Sequence, residues 1–378
     1  MPVDIFTDLN RSQNSLATKF LELRDGANFA PARAIIRELQ LDFVDPDGNF
    51  VEQLQTTAFD ARLFELFIFA MLREGGHQLD RTWDRPDYLI SKDGFNAAIE
   101  VVTANPPNGE PPGRISEIAQ TREQRCKYLA DTVPIRLGSP LYSKLQKKYW
   151  ELPHVGDMPI VLAIQDHHAD DSSEVSSAPL VRYLYGTGQR PHRDANGQLN
   201  AIGYAIADHK AGDKSIPSGF FQAPGVERIS AVLFCNVGTT DKFNRIGHQG
   251  AHRASNIAMV HSGTCLGQNL NSATPDVFAY EVGDGNWEAE SWAQGTVLLR
   301  NPNALHPLPE GWLGAPVEQK LVDNQIVARF QPGFHLYRSQ TDILSGTSAG
   351  AEEVRRHLES LLERLSRQHP GSRRRRTS

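Results

Sequence analysis

Apolar positions recur at helical spacing over residues 14–24 and 32–39, which predicts two short helices near the start of the chain. The run Asp45-Pro46-Asp47-Gly48-Asn49 predicts a turn. A long helical pattern follows over 50–74 and stops at Gly75-Gly76, a C-cap signal. The period then changes. Residues 86–90 read as a short strand, Lys92-Asp93-Gly94 as a hairpin turn, and 95–103 as a second strand. Residues 105–113, rich in Pro, Gly and Asn, predict a loop. Helices are expected at 115–130 and 140–150, and the continuous apolar run 159–164 reads as a buried strand.

The second half is less regular. A helix is expected over 178–185, a loop over 182–197, and strands over 229–234, 277–282 and 325–330. Pro and Gly recur from 301 to 333, a final helix is expected over 351–366, and 368–378 reads as a disordered basic tail. The expected fold class is α/β, with a mixed central sheet flanked by helices and a large irregular α+β C-terminal elaboration. The expected division is an N-terminal helical segment (1–48), an α/β core (49–170), an elaboration or second subdomain completing the sheet (171–366) and the basic tail (367–378).

Composition narrows the class. Hydrophobic residues make up 39% of the 378 and charged residues 22%, an ordinary globular balance. No apolar run approaches the ~18 residues that a membrane span needs, and the polar N-terminus lacks the pattern of a secretory signal. Three widely spaced cysteines, Cys126, Cys235 and Cys265, speak against a disulfide framework or a CxxC zinc site, so a reducing cytoplasm is expected. The formal net charge is −6, and without the arginines at 373–376 the chain has 35 basic against 45 acidic residues. A chain this acidic is not a general polyanion binder and would touch nucleic acid only through a local basic stripe.

Three isolated carboxylates stand out. Glu65 is the only charge within 63–72, a stretch greasy enough to be buried on every face. It faces a metal or a wet cleft, or, more plainly, pairs with Arg62 or a backbone N–H. Asp87 opens the first hairpin strand, and Glu100 is the only charge in the apolar run 97–102 of the second. Hairpin pairing lets these two approach, and a divalent metal such as Mg²⁺ would relieve their repulsion. The alternative places Asp87 in a turn cap and Glu100 in solvent.

Taken in order, Glu65 on a helix, Pro86-Asp87, a hairpin and Glu100-Val101-Val102 resemble the PD-(D/E)xK restriction endonuclease-like superfamily, over roughly residues 57–166. The resemblance implies a restriction endonuclease-like core in which Asp87 and Glu100 hold Mg²⁺ (or Mn²⁺), Glu65 supports metal or water, and a lysine two residues after the second acid activates the water. Val102 stands where that lysine is expected. The superfamily tolerates relocation of the lysine onto the following helix. Lys144 is then the first candidate and Lys148, a helical step away on the same face, the second; a solvated basic helix face is the alternative. Residues 138–155 with the 159–164 strand, Phe220-Phe221, 224–227 and 241–245 also resemble a group of bacterial proteins without an assigned activity.

Other signals carry less. Gly346-Thr347-Ser348-Ala349-Gly350 matches a nucleophile-elbow pattern, but only thirty residues follow Ser348, too few to add a catalytic acid and histidine on further sheet elements, so it reads as the loop before a helix. His248, His252 and His261 could suit zinc by spacing, yet Gly247 and Gly250 weaken the helix this needs. His167-His168 beside Asp166 line the sheet's end or form a surface turn. Lys242 and Arg245 are candidate phosphate contacts or a solvated surface loop. No Walker A or GxGxxG sequence occurs. The expectation is thus a Mg²⁺-dependent nuclease acting on nucleic acid, DNA rather than RNA, with no membrane role. The alternative is a nuclease-like module that binds nucleic acid or a protein partner without cutting.

Overall fold

A computed structural model of the chain describes every residue except 1–3, 8, 10–11, 13–14, 107–112, 270 and 376–378. Helices α1 (Thr18–Asp25) and α2 (Ala30–Gln40) come first, and the long helical pattern divides into α3 (Phe50–Gln55) and α4 (Phe59–Glu74). A short strand β1 (Gln78–Asp80) precedes the hairpin of β2 (Tyr88–Lys92) and β3 (Phe95–Ala104). The hairpin turn sits on Asp93 (φ 53°) and Gly94 (φ 75°), the Asp-Gly pair that a tight turn with two left-handed residues favours.

The following helices differ from expectation. α5 (Ile115–Ile118) is short, and α6 (Arg122–Lys127) runs through one π-helical turn (Tyr128–Thr132) directly into α7 (Val133–Leu145). Pro140 therefore lies inside a helix instead of starting one. β4 (Ile160–Asp166) and α8 (Ala178–Tyr185) follow, then two hairpins, β5 (Thr187–Arg193) with β6 (Leu199–Ala205) and β7 (Asp208–Ala211) with β8 (Lys214–Pro217). The first occupies part of the expected loop. Next come β9 (Ile229–Cys235), α9 (Thr240–Gln249), β10 (Ile257–Cys265), β11 (Asp276–Glu281), β12 (Thr296–Arg300), β13 (Val317–Val322), β14 (Gln325–Phe330), β15 (Leu336–Ser345) and α10 (Ala351–Gln368).

The main sheet is mixed and eight-stranded, in the order β1-β2-β3-β4-β9-β12-β13-β14, and a second sheet runs β11-β10-β15. β3, β4 and β9 are parallel neighbours at its centre. Both β4 and β9 are buried at every position, as strands covered by helices on both faces must be. One face packs Tyr88, Ile90, Ala97, Ile99 and Val101 against the apolar α4. The other packs Ala98, Ile160, Leu162 and Ile164 against Leu141, Leu145 and Tyr149. These alternating residues of β3 assign its side chains to the two faces.

The N-terminal helices join the same core as the second half: Asn244 of α9 accepts from the Ala32 N–H and donates to the Asn28 carbonyl. Residues 373–375, expected to be disordered, instead run beside β11, with Val277 N–H donating to the Arg373 carbonyl and Arg375 N–H to the Val277 carbonyl. None of the helices among the described residues is long and apolar enough to cross a membrane.

α9 also corrects the reading of Lys242 and Arg245. Neither is a surface residue: both are buried and paired with Glu290, whose Oε1 lies 2.7 Å from Lys242 Nζ and whose Oε2 lies 2.7 Å from Arg245 Nε. Burial alone would raise the Glu290 pKa, but Arg245 and Lys242 hold it well below the usual carboxylate range. Glu290→Gln would leave two buried cations without a counter-charge. It should cost roughly 3–5 kcal/mol of unfolding free energy in urea denaturation; a loss under about 1 kcal/mol would mean the cluster is hydrated.

Candidate functional site

The hairpin register pairs Tyr88 with Ile99, which sets the preceding residue, Asp87, beside Glu100. The Val101 N–H donates to Asp87 Oδ2 at 2.6 Å and fixes that carboxylate at the start of β2. Glu100 is 5% exposed and belongs to the β3 face turned toward α7. From the last turn of α7, Lys144 donates through Nζ to Glu100 Oε1. Glu100 Oε2 is buried, and the Tyr149 phenol hydrogen-bonds the Glu100 carboxylate beside Lys144.

Electrostatics ties the group together. Asp87 is pushed up from 3.8 to about 8, first by burial, then by the negative charges of Glu100 and Glu65, against the pull of Lys144 and the Val101 N–H. Tyr149, just beyond α7 and 2% exposed, has its phenol raised well above the ordinary value by burial, then by the charge of Glu100 and its hydrogen bond to that carboxylate. Val102 shares the Glu100 face, half-buried, and brings no charge to it.

The other two sequence candidates lie elsewhere. Glu65 is on α4, across the sheet from the Glu100 carboxylate. Its Oε2 receives Arg62 Nη1 at 2.5 Å and its Oε1 receives Arg81 Nη2. Arg81 also donates to the Tyr88 hydroxyl, which donates to the Glu65 carbonyl. Glu65 thus clamps α4 to the segment leading into β2, and both its oxygens are taken by guanidinium groups. The pairing with Arg62 is the plainer of the two sequence alternatives. Lys148 lies three residues past the end of α7 in a left-handed conformation (φ 49°). It shares no helical face with Lys144 and pairs with Glu151 at 3.3 Å.

Asp87, Glu100 and Lys144 therefore come together, with Tyr149 beside them. Neither Tyr149, next to Lys148 in the sequence, nor Arg81 stands out by its sequence pattern. As metal ligands, Asp87 and Glu100 fit in their chemistry: two neighbouring hard oxygen donors, with the Asp87 carboxyl shifted upward by burial and then by the negative charge of Glu100. Mg²⁺ commonly takes one or two carboxylates and keeps several waters. Among the described residues, no group of three or more His, Cys, Asp or Glu side chains is arranged to hold a metal ion.

The remaining motifs separate in space. His252 pairs with Glu38 at 2.7 Å, His261 Nδ1 lies 2.9 Å from the Tyr280 hydroxyl inside the second sheet, and His248 is buried in α9. His167 and His168 are buried at the end of β4, not in a surface turn, with His168 Nδ1 2.5 Å from Asp166 Oδ1. Ser348 lies in a single 3₁₀ turn before α10. No family model matches the chain, and neither the curated proteins nor the solved structures provide a match.

Proposed function

We propose that the chain is a Mg²⁺-dependent nuclease with a restriction endonuclease-like core. The observation that carries this reading is the meeting of Asp87 and Glu100 with Lys144 across the hairpin and α7. The order of elements supports it as well: a helix, a strand hairpin with the two acids, a helix with the lysine, then the parallel strand β4. Asp87 and Glu100 Oε2 would hold the ion. When bound, Mg²⁺ would supply an acidified water and neutralise charge on the phosphate. Asp87 must first release its proton. Lys144 holds Glu100 in place and offers an ammonium to the substrate phosphate or the attacking water.

A specific observation favours a second reading, a nuclease-like module that binds nucleic acid or a protein partner without cutting. Lys144 already neutralises Glu100, and Asp87 can keep its proton near neutral pH, so the group is electrostatically satisfied without metal. Cleavage of labelled DNA and RNA with Mg²⁺ or Mn²⁺, against EDTA, separates the two. Metal-dependent cleavage, DNA preferred, is expected, falling to background in Asp87→Asn and Glu100→Gln. No cleavage of any substrate by the wild-type chain would overturn the nuclease reading and leave the binding module.

A further inference from the structure

A cleft of about 720 Å³ opens between α6, α8 and the second sheet. Three guanidinium groups line it: Arg125 from α6, Arg182 from α8 and Arg338 from β15. A single lining carboxylate, Glu174, answers them, 3.5 Å from Arg125. Among the described residues, Arg182 makes no ion pair and no side-chain hydrogen bond. Arg338 donates to His369 Nε2, a bond that requires a neutral imidazole, so His369 aims the guanidinium without adding charge. Burial lowers the Arg338 pKa, Glu174 opposes this, and the nearby Arg125 lowers it further. The cleft thus concentrates positive charge in a chain whose formal charge is −6.

The rest of the wall mixes polar side chains, among them Thr264, Asn269 and Ser272, with an apolar part formed by Leu129, Pro179 and Leu266, and Tyr337 exposes 38% of its surface. Guanidinium forks match the oxygens of a phosphate, and apolar walls with a tyrosine suit a flat organic body. The volume falls in the range of roughly 300–1,000 Å³ usual for small-molecule sites and is far larger than a bare anion needs. Arg125 and Lys144 are nineteen residues apart on one continuous helical run, or roughly 28 Å at the α-helical rise. The cleft is therefore remote from Glu100.

We propose that this cleft binds a small organic phosphate of the nucleotide class, with Arg125, Arg182 and Arg338 on the phosphate and the apolar wall with Tyr337 on the base. It stands independently of the nuclease reading.

The test is calorimetric titration of the full chain in EDTA with AMP, GMP, CMP, UMP and inorganic phosphate. At least one nucleotide should bind with a Kd below about 1 mM, and inorganic phosphate about tenfold more weakly or worse. Arg182→Gln, at an unpaired side chain, should weaken binding about tenfold without changing the melting temperature, and Arg338→Gln should do the same if it folds. Asp87→Asn should bind like the wild type, which separates this site from the carboxylate site. The proposal is overturned if no mononucleotide binds, if inorganic phosphate binds equally well, if only oligonucleotides bind, or if Arg182→Gln binds unchanged.

Discussion

Lys144→Ala should reduce single-turnover cleavage by about 10²–10⁴-fold, the range expected for loss of a positioned proton-transfer or charge-stabilising group. Lys148→Ala, at a residue paired with Glu151 beyond the helix end, should change it little. The more telling result is the double variant. Val102 lies two residues after Glu100 on the same strand face. A lysine there would reach the same carboxylates from the strand. Val102→Lys in the Lys144→Ala background should therefore recover about tenfold or more of the lost rate. Rates are read with Mn²⁺ on labelled DNA and RNA, with circular dichroism confirming that each variant folds. Full activity in Lys144→Ala would refute a catalytic lysine on α7. Failure of the double variant to recover while folded would mean that Lys144 acts only by holding Glu100.

Metal and proton should compete at Asp87. Folded, this carboxyl keeps its proton to about pH 8, whereas its unshifted value is 3.8. Between those values the folded chain binds a proton that the unfolded chain does not. Raising pH through this window therefore removes stability, by on the order of 2–4 kcal/mol once solvent around the partly exposed carboxyl is allowed for. Asp87→Asn should flatten the decline and melt higher than the wild type in EDTA at pH 8.5. Mg²⁺ binds the ionised form, so its stabilising shift in Tm should be small at pH 6 and grow toward pH 9, and should vanish in Asp87→Asn. Thermal melts across pH with EDTA or Mg²⁺ check both. A Mg²⁺ shift independent of pH, or retained in Asp87→Asn, would place the ion elsewhere.

The legible parts of the chain are those whose local chemistry and tertiary surroundings agree. β4 and β9 read correctly because a strand buried on both faces is a continuous apolar run. The β2–β3 hairpin read correctly because Asp93-Gly94 supplies its left-handed turn. β10 escaped notice although all nine of its residues are buried, because His261, Ser262, Gly263 and Thr264 interrupt its apolar pattern. α9 was hidden in the same way: Lys242 and Arg245 look solvated until Glu290, far along the chain, is brought to them.

Within the site, Asp87 and Glu100 were readable as lone charges in strands of known pairing. Lys144 was readable only as one of several cations on a helix. The end of that helix was not, since Gln146-Lys147-Lys148 carries no Gly or Pro stop, and Lys148 adopts its positive φ without one. The face occupied by Glu65 was also hidden. α4 is apolar on nearly every side, so its sequence does not say which way a single carboxylate points.

The pairing of residues 373–375 with β11 bears on how the molecule behaves in a crowd. β11 is one of the two outer strands of its sheet, and a bare outer strand invites a strand from another molecule. Here the chain takes up the edge hydrogen bonds of Val277 itself, with a segment whose side chains are Arg373, Arg374 and Arg375. A second copy approaching along the same edge meets like charge instead of open backbone. The arginines thus act as gatekeepers at the β11 edge, where they place like charge against an incoming strand.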